Sequence, residues 1–121
     1  EMSASLVGSE MCKETGTAGS NVIENLSDIA PDLARYIIEF AFGQIYERPG
    51  LSLQERELLT LSSLLTAGAC EAQLQVHINA ALHVGIKEEK IIEAFLHCIP
   101  YTGFPKVLNA VAVAGQIFSG K

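Results

Sequence analysis

The segment from Ser52 to Gly85 carries two helix signals in tandem, and this constrains the fold more than anything else in the chain. Ser52 followed three residues later by Glu55 is a capping box, in which each side chain satisfies the other's backbone N–H. Leu58, Leu59, Leu61, Leu64 and Leu65 then cover nearly every side of the predicted helix 52–67, which places it in the middle of a core. Gly68 breaks the chain. A second helix is predicted from about Cys70 to Val84, with Gly85 as its C-terminal stop. A break this short folds the two helices back on each other, so a central antiparallel hairpin is expected.

The flanking segments read the same way. A short helix is expected over 21–29. Pro31 suits a first helical turn and opens a helix whose apolar positions are Leu33, Ile37, Phe40 and Ala41, ended by the Arg-Pro-Gly at 48–50. Glu88 and Glu89 mark the first turn of another helix, where the macrodipole favours acids, and it ends before Pro100. Pro105 opens the last, 105–118, with Val107, Leu108, Val111, Ala112 and Ile117 expected inside. No segment alternates with period two, so the fold class is all-α. Residues 1–20 are rich in Ser, Gly, Thr and Glu and read as a flexible tail. The tail begins at Glu1 rather than methionine and is expected to include residues left over from cloning. The domain proper is 21–121.

Composition narrows the function classes. Hydrophobic residues make up 49% and charged residues 18%, which is apolar for 121 residues and predicts apolar surface shared between subunits. Net charge is 8 − 14 = −6 with no Lys/Arg cluster, so no nucleic acid partner is expected. No apolar run reaches spanning length, so no membrane association is expected. No secretory leader is visible, and Cys12, Cys70 and Cys98 are too few and scattered for a disulfide scaffold, so the expected compartment is cytoplasmic.

The stretch "GACEAQLQVHINAAL", 68–82, gathers the chemically interesting residues. Cys70 and His77 share a helix face but stand two turns apart, about 10 Å along the axis. Gln73, one turn before His77, is its nearest polar neighbour on the helix. Cys70 near a helix N-terminus has a reason for a lowered thiol pKa, which Glu71 opposes. Across the hairpin, Glu57 can approach His77, and a partly buried Glu beside a His suits proton transfer. Each has a structural alternative: Cys70 as a small buried side chain, His77 as a hydrogen-bonded helix residue, Glu57 as a helix-start acid. Arg48 and Arg56 suit a carboxylate ligand or pair with Glu47, Glu55 or Glu57. Phe42, Tyr46, Tyr101 and Phe104 belong to a pocket or to the core. His77, His83 and His97 lack metal-ligand spacing, so no metal is expected.

Three pieces, "APDLARYIIEFAFGQIYERPGLSLQERELLTL", "CEAQLQVHINAALHVGIKEEKIIEAF" and "YTGFPKVLNAV", lie in order across 28–118. In these the chain resembles the carboxymuconolactone decarboxylase family, which shares the alkylhydroperoxidase D-like helical fold. The resemblance implies a homo-oligomer, a hexamer or trimer arrangement, and one of two chemistries. A redox branch carries Cys-x-x-Cys-x-x-x-His with a Glu on the preceding helix and acts as a peroxiredoxin-type antioxidant. A decarboxylase branch keeps the His without the cysteine pair and removes CO₂ from a small lactone acid with no cofactor. Cys70, His77 and Glu57 stand at the positions of the first cysteine, the His and the Glu, with one extra residue between Glu57 and His77. Gln73 stands where the second cysteine would be. The resemblance therefore favours decarboxylation of a small-molecule substrate with His77 as acid or oxyanion donor, Glu57 as its orienter, and Arg48, Gln73 and Tyr101 at the substrate. Thiol peroxidase chemistry through Cys70 and a non-catalytic ligand-binding module are the alternatives.

Overall fold

The computed structural model describes residues 16–120, and among these every regular element is helical. Helix α1 spans Thr17–Leu26 and α2 Pro31–Tyr36, which runs on as a π-helical segment, Ile37–Ile45. Then follow α3 (Leu53–Ala67), α4 (Glu71–His83), α5 (Glu88–His97), the single turn α6 (Ile99–Thr102) and α7 (Phe104–Ser119). The part of the expected tail covering residues 1–15, with Cys12, lies outside the described residues.

Local chemistry fixes the helix ends. At α3 the Ser52 hydroxyl accepts from the Glu55 N–H at 3.1 Å, and the Ser52 N–H donates to the Glu55 carboxylate at 2.8 Å. At the far end of α4, the Gly85 N–H bonds the Leu82 carbonyl and the Ile86 N–H bonds the Ala81 carbonyl. That is a Schellman stop, and it needs the left-handed φ of +94° that Gly85 adopts without strain. Pro100 and Pro105 sit in the first turns of α6 and α7, where a missing N–H costs nothing.

The main core is built from Leu61 and Leu65 of α3, Leu74, Ile78 and Ala81 of α4, Ile91 and Phe95 of α5, and Val107, Ala110 and Ala114 of α7. Alanines at a helix contact let the axes approach the short end of the usual ~8–10 Å. Ala81, Ala110 and Ala114 are fully buried in this role. The start of α3 meets the end of α4, where the Gln54 amide donates to the Val84 carbonyl at 2.8 Å.

A second, smaller cluster forms around Phe42, packed by Ile23 of α1 and by Ile37, Ile38, Ala41 and Tyr46. Here the structure corrects the expected helical face. Leu33 and Phe40 are exposed (49% and 57%), and the buried residues are Ala34 and Phe42. Over Ile37–Ile45 the π register accounts for the shift from Phe40 to Phe42: the Tyr46 N–H bonds back to Ala41, five residues earlier, so the inward stripe drifts off the α-helical spacing. Leu59 of α3 and Leu108 of α7 also face outward (54% and 64%), because the helices bury one stripe each rather than their whole circumference. The first helix begins earlier than the expected 21–29, at Thr17.

The capping box has a pH signature. Its hydrogen bonds from Ser52 hold the fully exposed Glu55 carboxyl below its ordinary 4.5, with the nearby Arg56 charge acting the same way. A lowered folded-state pKa adds stability that is fully present above 4.5 and disappears as pH falls through the lower value. Glu55→Gln is therefore expected to reduce the urea midpoint slightly at pH 7. The gap from wild type should narrow on acidification below 4.5; a gap that widens there contradicts this assignment.

Candidate active site: the buried Glu57–His77 pair

Glu57 lies one turn into α3 on the same stripe as Leu61 and Leu65, and it is fully buried. A carboxylate in such surroundings is costly unless it is paired and hydrogen-bonded. Its partner comes from α4: His77 Nδ1 stands 3.0 Å from Glu57 Oε1, and the His77 side chain keeps 21% of its surface exposed. Glu57 Oε2 is buried without a hydrogen-bond partner among the described residues. The extra residue between Glu57 and His77 in the sequence does not prevent their contact.

The geometry orders the pair. With Glu57 as carboxylate, it accepts from Nδ1–H, which leaves Nε2 as the nitrogen not engaged by Glu57. That nitrogen can carry a proton and donate an N–H hydrogen bond of its own. The burial asymmetry gives the pair a direction: the carboxylate is sealed in the core, and the imidazole reaches toward solvent.

The other residues singled out from the sequence have settings of their own. Gln73 is exposed one turn before His77 on α4. Cys70 is the N-cap of α4, half-buried, with its thiol donating to the Gly68 carbonyl at 3.2 Å. It lines a small cavity of about 180 Å³ with Leu64, Leu74, Lys106 and Asn109. Cys98 is buried in the main core, and both thiols are free. Tyr101 is 78% exposed and packs on His97, ring centroids 5.8 Å apart; Phe104 is exposed too. Arg48 is exposed, and its backbone carbonyl accepts from Arg56 Nη2 at 2.8 Å. None of Glu47, Glu55 or Glu57 comes within ion-pair distance of either arginine among the described residues. The ion pairs found there join Arg35 to Asp32 and Glu39, and His77 to Glu57. Among the described residues no group of three or more His, Cys, Asp and Glu is placed to hold a metal.

One feature the sequence does not announce is a polar chain between α3 and the end of the π-helical segment. The Tyr46 hydroxyl bonds Thr60 Oγ1, which donates to the Arg56 carbonyl at 2.8 Å. Thr60 stands four residues after Arg56, the spacing at which a helix threonine bonds back to a carbonyl, but nothing local announces Tyr46 as its partner.

Removing one member of a buried charged pair strands the other, at a cost of about 3–5 kcal/mol, whereas removing both is close to neutral. His77→Leu is therefore expected to destabilise the fold by that order in urea unfolding. The double variant His77→Leu/Glu57→Leu should recover most of the loss. Equal destabilisation of single and double variants would show that the pair is not energetically coupled.

Similarity to known proteins supplies the family. Residues 31–116 match the carboxymuconolactone decarboxylase family. The chain is 35% identical over 96 residues to 4-carboxymuconolactone decarboxylase of Acinetobacter baylyi, covering 79% of this chain and 71% of that one. It is also 35% identical over 99 residues to nitrosuccinic acid decarboxylase npaB of Metarhizium robertsii, covering 78% and 68%. An uncharacterized 15.0 kDa protein of Paracoccus denitrificans is 26% identical over 95 residues, covering 78% and 71%. With helices throughout, a match over 31–116 and two decarboxylases at this level of identity, the chain belongs to the carboxymuconolactone decarboxylase family.

Proposed function

We propose that this protein decarboxylates a small carboxylated lactone or a related dicarboxylic acid, with His77 as the proton donor and Glu57 as the residue that positions it. The observation that carries this reading is the 3.0 Å contact between Nδ1 of a partly exposed histidine and a fully buried carboxylate. Support comes from two relatives named as decarboxylases, one of a carboxymuconolactone and one of nitrosuccinic acid.

The bond that breaks joins the carboxylate carbon to its neighbour. Its electron pair stays on that neighbour and spreads onto a conjugated carbonyl or nitro oxygen, while CO₂ departs. Developing negative charge on that oxygen is stabilised by a preorganised donor, here His77 Nε2–H. The same proton, or one taken up from water, then goes to carbon and completes the product. Glu57 keeps Nδ1 protonated and the ring in place, so that Nε2 is the nitrogen presented to substrate. In this reading Gln73 and Arg48, both exposed, contact the substrate's polar groups.

The subunit is proposed to work as a homo-oligomer, a hexamer or a trimer arrangement, built around an antiparallel α3–α4 pair. Its support is the apolar surface left uncovered: Ile29, Leu33, Tyr36, Phe40, Tyr101 and Phe104 are all exposed in the isolated chain. The proposed compartment is the cytoplasm. None of the helices among the described residues is long and apolar enough to cross a membrane.

The test is CO₂ release from 4-carboxymuconolactone and from nitrosuccinate, comparing wild type with two conservative variants. His77→Asn keeps a donor near the Nδ1 position for Glu57 and deletes Nε2. It is expected to lower kcat by about 10²-fold or more while remaining folded. Glu57→Gln is expected to lower kcat by about tenfold or more with KM little changed, the pattern of a residue acting through another. Wild-type turnover in His77→Asn would overturn the assignment.

A further inference from the structure

On one side of α3, positions 56, 59, 60, 63 and 64 follow the i, i+3, i+4, i+7, i+8 spacing of one helical stripe, with Leu64 at its inner edge against the main core. Together with Ile45 and Tyr46, from the end of the π-helical segment, they line an open cavity of about 320 Å³. Neither Glu57 nor His77 contributes to it. Its walls are mainly apolar: Ile45, Leu59 and Leu64. Its charged residue is Arg56.

That guanidinium is held and only partly used. Nη2 donates to the Arg48 carbonyl at 2.8 Å, which ties the side chain to the segment that leaves the π-helix. Nε is buried and has no hydrogen-bond partner among the described residues. Glu55 lies close enough for its carboxyl to respond to the Arg56 charge, but that carboxylate is already committed to the Ser52 amide. No carboxylate among the described residues forms an ion pair with Arg56. A buried donor on a cation left without an acceptor calls for one from outside. The acceptor that matches a guanidinium edge is a carboxylate, which takes a bidentate, charge-assisted bond. Ser63, exposed at the same cavity, adds a hydroxyl to the rim.

We propose that this cavity is a binding site for a small monocarboxylate with an apolar body, its carboxylate on Arg56 and its body against Ile45, Leu59 and Leu64. The site is separate from the Glu57–His77 pair, and the inference does not depend on the decarboxylase reading. The π-helical segment makes the site possible, because it sets Ile45 and Tyr46 opposite the α3 stripe. Thr60 secures that wall by accepting from Tyr46.

The experiment is an NMR titration of the full chain with benzoate, following the Arg56 Nε–H signal, with benzamide as the neutral isostere. Benzoate is expected to move the signal saturably and benzamide to leave it in place. Arg56→Lys keeps the charge and loses the fork; followed through the Thr60 and Ser63 amides, it is expected to bind benzoate at least tenfold more weakly. Ser63→Asp changes only an exposed position and sets a negative charge at the rim; it is expected to weaken benzoate to the same degree, which tests the site should Arg56→Lys disturb the fold. His77→Asn should bind benzoate as wild type does, and this separates the site from the reaction centre. No saturable benzoate shift, an equal response to benzamide, or undiminished binding in Ser63→Asp would overturn the proposal.

Discussion

A carboxylate sealed inside a helical core is the constraint around which this structure is arranged. Glu57 occupies a position that its neighbours on the stripe, Leu61 and Leu65, would predict to be apolar. Burying it is tolerable only if another group neutralises or bonds it, and His77 is that group. The requirement fixes the register of α3 against α4, since a shift of one turn on either helix would separate Oε1 from Nδ1 by about 5 Å. The rest of the core accommodates this register: Gln54 closes on Val84 at one end of the pair of helices, and the short Gly68–Cys70 break closes the other. At the break, Gly68 takes a φ of +79° and the next residue, Ala69, one of +56°, so the turn itself carries some backbone strain.

Helix ends were the most legible part of the sequence, because capping is local chemistry. Ser52 with Glu55, Gly85, Pro31 and Pro105 each mark a boundary by what their own atoms can or cannot bond. Which residues face inward was less legible. The Leu-rich pattern of 52–67 suggests burial all round, but Leu59 is turned out to the cavity that Arg56 shares. The π register of Ile37–Ile45 was not legible at all. It depends on the packing of Phe42 against Ile23 and on the bonding of Tyr46 to Thr60, both long-range choices that no local propensity encodes.

The site divides the same way. Glu57 and His77 could be paired from the sequence because helix spacing and a fold-back between 67 and 70 put them within reach. The depth of Glu57 could not be read, since an acid near a helix start is usually a surface residue. Tyr101 and Arg48 are residue types suited to a substrate, and the fold places both on exposed surface, which the sequence alone did not reveal. Arg56, sequence-adjacent to Glu57, points about 100° around the helix and so serves a different face. Family membership is thus secured by the sequence match, while the proposed chemistry rests on one histidine and one buried acid.

The most direct measurement is the ¹⁵N NMR signature of the His77 ring at neutral pH in the wild-type protein. With Glu57 accepting and His77 donating, Nδ1 should be protonated and hydrogen-bonded, in the neutral as in the charged ring. A bare Nδ1 beside a protonated Glu57 would reverse donor and acceptor, and would contradict the role given to the pair.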